Sequence, residues 1–414
     1  MAHLLLRRSP CASAAAARRA AAASISRSAA AGCTQHRGVS YILGIETSCD
    51  DTAAAVLDGD GNVLSNVISS QWELNAKWKG IVPALAARAH EENLPHVISA
   101  AIEQSGLKSV SELSAIAVTA GPGLSPCLDV GLIAARDLCV EHPSVDYLQI
   151  NHLEAHVLVS RLPQESVARP EFPFVVLLVS GGHCCLVLAK DIGDYELLGN
   201  TLDDSVGEAF DKVARMLDIT SDKGVHGGRL IEEMASRGND RAFAFPEPMK
   251  HRKAGLCELC IDSRNNRLLS LTSDCDFSYS GLKTAMLREV KKLGELDEKT
   301  KEDLCASFQR RAVGQLLTRA QRACQWGKER LRGENISSIV ICGGVASNQY
   351  LRLQMEQVAA EEGVRAISPP VKYCTDNGVM IAWAGLERHR RGMRSDPTTA
   401  RYTPRWPLET LEPL

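Results

Sequence analysis

The sequence predicts an α/β protein of two lobes built from one duplicated unit, with its ligand in the cleft between them. Three observations carry this. A triplet of short strands joined by polar Gly/Asp turns occurs twice, over residues 41–69 and again over 174–201. Each triplet is followed by helical periodicity and then by a strand that runs into a glycine loop. The 414 residues suffice for two domains, at about 100 to 200 residues each.

Residues 1–40 stand apart from the rest. They carry Arg7, Arg8, Arg18, Arg19, Arg27 and Arg37, are rich in Ala and Ser, and contain no acid; Glu46 is the first. A cationic, acid-free leader of this kind reads as a mitochondrial transit peptide, with a plastid one or a basic tail as alternatives. Without it the balance is 41 basic against 50 acidic residues, so a nucleic-acid partner needs a local basic patch.

The first lobe is expected over 41–150. Strands are read at 41–46, 52–57 and 63–69, with the turns Thr47-Ser48-Cys49-Asp50-Asp51 and Asp58-Gly59-Asp60-Gly61 between them, then a helix over 84–104. A strand at 116–119 enters Ala120-Gly121-Pro122-Gly123. The second lobe is expected over 151–408, with a C-terminal helix crossing back. Its strands fall at 174–179, 184–188 and 195–201 around the turn Ser180-Gly181-Gly182-His183, followed by a helix over 205–217. A strand at 339–342 then enters Gly343-Gly344-Val345-Ala346-Ser347-Asn348. Two such units facing each other make the actin-like, sugar-kinase-like (ASKHA) fold. A Rossmann sheet is the runner-up, but no G-x-G-x-x-G follows the first strand and the opening hairpins are antiparallel. Absence of a Walker lysine motif excludes a P-loop enzyme. No apolar run approaches the ~18 residues of a membrane span.

Candidate chemistry clusters at the predicted cleft. His152 and His156 are four apart, so on a helix both imidazoles share a face, and Asp376 can supply a third ligand to one divalent ion. On spacing alone such a pair is more often a helix surface or a satisfied core pair. Ser180-Gly181-Gly182 can approach phosphates through bare backbone N–H groups, and Glu46 and Asp50 bracket the equivalent first turn, where a carboxylate can orient a reacting amine. Asp211 and Glu232 can accept ribose hydroxyls from two helices, and Gly343-Gly344 with Asn348 can take a purine whose edge the amide reads. Arg388, His389, Arg390, Arg391, Arg394, Arg401 and Arg405, interleaved with Tyr402 and Trp406, suit RNA or else a solvated terminal helix.

Of fourteen cysteines most sit singly in apolar segments, as reduced buried thiols do. Only Cys257 and Cys260 form a Cys-x-x-Cys; with no second pair at zinc spacing, residues 250–275 read as a disordered insertion.

Glu46-Thr47-Ser48-Cys49-Asp50, Thr119-Ala120-Gly121-Pro122-Gly123-Leu124, His152-x-x-x-His156, Leu178-Val179-Ser180-Gly181-Gly182-His183, Gly207-Glu208-Ala209-Phe210-Asp211-Lys212, Phe277-Ser278-Tyr279-Ser280-Gly281-Leu282-Lys283, Gly343-Gly344-Val345 and Cys374-Thr375-Asp376-Asn377-Gly378 together resemble the ordered signature of the TsaD family of tRNA threonylcarbamoyltransferases. The leader is similar to that of organellar members. The resemblance implies transfer of a threonylcarbamoyl group from threonylcarbamoyl-adenylate, made by a separate synthase, to N6 of the adenosine beside the anticodon in tRNAs reading ANN codons, with release of AMP. It implies metal ligation by His152, His156 and Asp376, the ion being iron, zinc or magnesium, and substrate contacts at Leu178, Val179, Ser180, Gly181, Gly182, Asp211, Gly228, Glu232 and Asn348. It also implies a self-sufficient homodimer.

Departures from the family pattern are Ala84 in place of a glutamate, Pro126 in place of a glycine, and Val225-His226-Gly227-Gly228 where Tyr-Pro-Gly-Gly is usual. Three rival readings are weighed. A kinase on this fold needs no histidine ligands; a zincin needs Glu beside the first His, where Leu153 stands; a non-catalytic subunit has no reason to keep every ligand.

Overall fold

The computed structural model describes residues 40–413 apart from 79, 166, 220–224, 248, 250–260, 263–266, 269–274 and 332–334. The leader up to residue 39, residues 221–224 just before the Val225–Gly228 stretch, and Cys257 and Cys260 lie outside the described residues.

Two five-stranded sheets have the same topology. In the first, β1 (Tyr41–Glu46), β2 (Asp51–Asp58) and β3 (Val63–Ser70) are antiparallel, while β4 (Ala115–Gly121) and β5 (Asp146–Asn151) extend from β1 in parallel, giving the order β3-β2-β1-β4-β5. In the second, β6 (Phe174–Val179), β7 (Cys184–Asp191) and β8 (Asp194–Asn200) are antiparallel, and two later strands, Ser338–Cys342 and Arg365–Ile367, extend from β6 in parallel. This is the duplicated actin-like, sugar-kinase-like fold. Its symmetry puts the turns Thr47–Asp50 and Ser180–His183 at matching places in the two copies.

Both faces of each sheet are covered, so the central strands are near-continuous apolar runs rather than alternating ones. In the first sheet Leu43, Ile45, Ala54 and Val56 pack on α2 (Pro83–Ser105) and α3 (Ser125–Glu141), which follow the seven-residue α1 (Trp72–Trp78). The opposite face, with Ile42, Ala55 and Leu57, receives the helix Gly378–Arg390 from near the chain's end. Small residues allow this. A Cβ on Gly44 would lie 2.3 Å from the Gly378 carbonyl, and one on Gly378 would lie 2.5 Å from the Ala55 nitrogen.

In the second sheet Val175, Leu177 and Val179 face α5 (Val206–Met216), α6 (Gly227–Ala235), α7 (Ser280–Leu293), α8 (Glu298–Arg330) and α9 (Gln349–Glu362). Phe174, Val176 and Leu178 face Leu153 and Val157 on α4 (His152–Leu158). The rest of α4, Ala155 and Leu158, packs with the first sheet, so this helix serves both cores.

Within the expected insertion the described residues form a ladder of two-residue strands, β9 (Ile261–Asp262) and β10 (Arg267–Leu268). Pro126 falls in the first turn of α3, where its missing N–H has no helical partner to lose; it sits there without interrupting the helix. After β11 (Ser338–Cys342), β12 (Arg365–Ile367) and α10 (Gly378–Arg390), the chain runs back along the first lobe. Thr403 N donates to the Ala120 carbonyl at 2.7 Å, and Leu408 then enters the core beneath the second sheet.

Candidate functional site

Two segments deliver the three metal-type donors. Asn151 caps α4 by accepting from the backbone N–H groups of Leu153 and Glu154, and all seven residues of that helix are buried. The cap fixes where the helix starts, and its period puts both histidines on one face with ring centroids 4.7 Å apart. Asp376 arrives on the turn before α10, held by Asn377, which accepts from Met380 N and donates to the Thr375 carbonyl at 2.7 Å. Its Oδ1 lies 3.1 Å from His156 Nε2 and 3.6 Å from His152 Nε2. One ligand atom from each residue falls within 4.8 Å of the others.

The donor set suits a cation. Burial pushes the Asp376 carboxyl up, yet the two imidazoles outweigh that and hold it below the usual carboxylate range. Burial pulls His152 down, but Asp376 and Glu46 prevail and it is pushed up to about 9. His152 Nδ1 is 3.0 Å from Glu46 Oε2, so its Nε2 is the nitrogen turned toward Asp376. His156 Nδ1 is buried with no partner among the described residues. Two nitrogens and a carboxylate at one point, with a second carboxylate behind one imidazole, fit a divalent ion.

Glu46 therefore differs from expectation. It is fully buried and accepts from Ser48 N, Thr119 Oγ1 and His152, so it stands behind a ligand instead of facing the cleft. The spacing of Glu46 and Asp50 shows only that both flank the turn. At the end of β1 the side chain of Glu46 turns toward Thr119 on β4 and His152 on α4, while Asp50 lies on the turn itself.

Asp50 is half-buried. Its Oδ2 accepts from Asn75 Nδ2 at 2.8 Å and its carbonyl from Gln71 N at 3.2 Å. Burial raises its pKa, and the charge of Asp376 acts in the same direction. The preceding carbonyl, of Cys49, lies 3.1 Å from Nε2 of the fully buried His90, whose Nδ1 faces Thr52 Oγ1 at 2.8 Å. Asn75 and His90 escape sequence reading because each sits singly on a helix, with no motif around it.

On the other lobe, Ser180 Oγ accepts from Gly182 N and His183 N, which folds the turn, while Gly181 and Gly182 are exposed. A Cβ on either would meet nothing within 4 Å, so the fold itself does not require glycine there and the space above the turn is open. Leu178 and Val179 are fully buried strand residues, which leaves only their main chain to face a ligand. Asp211 Oδ1 accepts from Gly228 N at 3.2 Å, and Glu232 Oε1 accepts from Gln349 N at 2.6 Å; burial raises the pKa of both. Glu232, Gln309, Gln349 and Tyr350 help line a cavity of about 460 Å³.

Asn348 has a different task from the expected one. Its Oδ1 caps α9 by accepting from Leu351 N at 2.8 Å, and its Nδ2 donates to Gln309 Oε1 at 2.9 Å. One donor and one lone pair of the amide are thereby committed to fixing the loop.

The basic cluster is largely neutralised inside the molecule. Arg388 is buried against Glu154 at 2.5 Å, His389 and Arg394 converge on Asp146, Arg391 pairs with Asp191, and Arg390 reaches the Gly59 carbonyl. The terminal helix is not solvated; Gly378 to Arg388 are buried. Glu154, the acid nearest a zincin's base position, also accepts from Tyr195 Oη and Gly193 N. A carboxylate held by three donors is a structural clamp, not a base.

Comparison with known proteins shows the family. The family model TsaD, tRNA N6-adenosine threonylcarbamoyltransferase, matches residues 62–383. A tRNA N6-adenosine threonylcarbamoyltransferase of Anaplasma phagocytophilum (strain HZ) is 44% identical over 89% of this chain and 98% of its own. A probable mitochondrial tRNA N6-adenosine threonylcarbamoyltransferase of Arabidopsis thaliana is 41% identical over 89% of this chain and 74% of its own. Among solved structures, HypF of T. kodakarensis aligns with a TM-score of 0.48 at 16% identity over 85% of this chain and 48% of that one. The chain thus belongs to the TsaD family of tRNA N6-adenosine threonylcarbamoyltransferases.

Proposed function

We propose that the chain takes threonylcarbamoyl-adenylate from a separate synthase and transfers the threonylcarbamoyl group to N6 of the adenosine next to the anticodon in mitochondrial tRNAs reading ANN codons, releasing AMP. One observation carries the reading. The His152, His156 and Asp376 donors stand beside the Asp50 turn, and the fold sets the open Ser180–Gly182 turn at the matching place in the other lobe.

In this reading the phosphate of the adenylate lies over Gly181 and Gly182, where the space above the main chain is free. Asp211 and Glu232 accept ribose hydroxyls, the first residues of α6, Gly227 and Gly228, close on Asp211, and the cavity bordered by Glu232 gives the purine room. Asp50, its pKa raised by burial, receives the proton that N6 loses as it attacks the carbamoyl carbon, and the phosphate oxygen of AMP takes the bonding electrons as it leaves. Asn75 holds that carboxylate in place. The ion held by His152, His156 and Asp376 would supply positive charge near the departing phosphate, and iron, zinc and magnesium all suit that task. Glu46 keeps His152 in the tautomer that ligates.

Residues 1–40 act as the import leader, and the mature chain works as a homodimer. The Arabidopsis relative, named as mitochondrial, supports the location.

The test is reconstitution of the mature chain with synthase, threonine, bicarbonate, ATP and a mitochondrial tRNA transcript. AMP release that requires tRNA, together with the modified adenosine in the product, is expected. Adenylate hydrolysis without transfer overturns the reading.

A further inference from the structure

Once the basic residues of α10 are accounted for by internal pairs, the terminal strap at 401–406 stands out. Arg401, Tyr402 and Arg405 are exposed, and neither guanidinium has an acidic partner among the described residues. The strap backbone is pinned. The Arg401 carbonyl accepts from Gln149 Nε2 at 2.9 Å, Thr403 N donates to the Ala120 carbonyl at 2.7 Å, the Pro404 carbonyl accepts from Gly123 N at 3.2 Å, and the Trp406 carbonyl accepts from Asn151 Nδ2 at 2.9 Å.

Those anchors lead to the site from two sides. The loop at 120–124 touches the Asp50 turn, since Leu124 N donates to the Ser48 carbonyl at 2.8 Å and a Cβ on Gly123 would meet that same carbonyl at 2.7 Å. Asn151 is the residue that caps the ligand-bearing helix α4. The strap is thus a rim of the site whose main chain is committed inward while two cations and an aromatic ring remain available. The folded body carries an excess of acids, 50 against 41, so a polyanion needs a local cationic foothold.

We propose that this strap is the lip on which the tRNA backbone rests, with Arg401 and Arg405 taking phosphates and Tyr402 stacking on an unpaired base. The proposal rests on the reading of the reaction given above and names the surface that presents the RNA to it. A rigid backbone makes the lip a positioning element, because the cations project from a frame already bonded to the Asp50 turn and to the cap of α4.

The experiment measures binding of a tRNA transcript to the full mature chain across a salt series, apart from transfer. Arg401→Glu with Arg405→Glu is expected to weaken binding on the order of tenfold and to lower the salt slope by roughly 0.7 for each phosphate no longer neutralised. Arg401→Lys with Arg405→Lys keeps the slope, and affinity for the adenylate is unchanged in both variants. Arg365→Glu, a charge reversal at an exposed position on β12, the edge strand of the second sheet, leaves tRNA binding as in the wild type. Wild-type affinity and slope in the double reversal, or an equal loss with Arg365→Glu, overturns the proposal. Wild-type protein that binds tRNA through these arginines yet transfers nothing refutes the reading of the reaction and leaves the lip standing.

Discussion

Glu46 and Asp50 are both acids of one turn, yet the structure gives them opposite surroundings, and substitutions at each are expected to fail in different ways. Glu46→Gln keeps the shape but weakens the hold on His152 Nδ1, so metal affinity is expected to fall about 10- to 100-fold, read by titrating the metal into apo protein. Asp50→Asn leaves metal and adenylate binding intact and slows transfer about 10²- to 10⁴-fold, the usual worth of a positioned base. A neighbouring acid gives a pH signature. Burial pushes Asp51 up to about 6, and its buried Oδ1 has no partner among the described residues. Because the folded state holds that proton more tightly, the group costs stability as pH rises from about 4 in the unfolded chain to about 6. Asp51→Asn is therefore expected to stabilise the protein by ~1 to 3 kcal/mol at pH 7 and to change it little at pH 4, measured by denaturant unfolding at both.

At the scale of elements, strands are legible in the sequence and partnerships are not. The sheet strands of both triplets follow from apolar runs cut by Gly and Asp turns, because turn chemistry is local. The neutralisation of Arg388 by Glu154, 234 positions away, leaves no local mark, so a buried clamp and an RNA-binding patch look alike in composition. The tasks of Glu46 and Asn348 escape for the same reason; their neighbours in the chain say nothing of Thr119 or Gln309. The clamp makes its own prediction. Glu154→Gln strands Arg388 in the core, which is expected to cost about 3 to 5 kcal/mol and to lower metal affinity with it, since Glu154 shares a helix with both ligand histidines. Calorimetric unfolding and metal titration on one sample check both effects.

For the whole molecule the decisive contact is between α10 and the first sheet. Gly44→Ala places a methyl 2.3 Å from main-chain atoms of that helix, which cannot retreat without moving Asp376. Destabilisation of at least ~3 kcal/mol is expected, with metal binding lost before the fold is, when both are followed through a denaturant series. The same contact bears on how the protein is made. His156 and Asp376 lie 220 positions apart, and the helix that follows Asp376 is also the cover for one face of β1 and β2. During translation that face stays bare until nearly the whole chain has left the ribosome. Nascent chains are then exposed to aggregation for most of their synthesis, and any messenger cut short before codon 376 yields a first lobe with an open apolar face and an incomplete metal site.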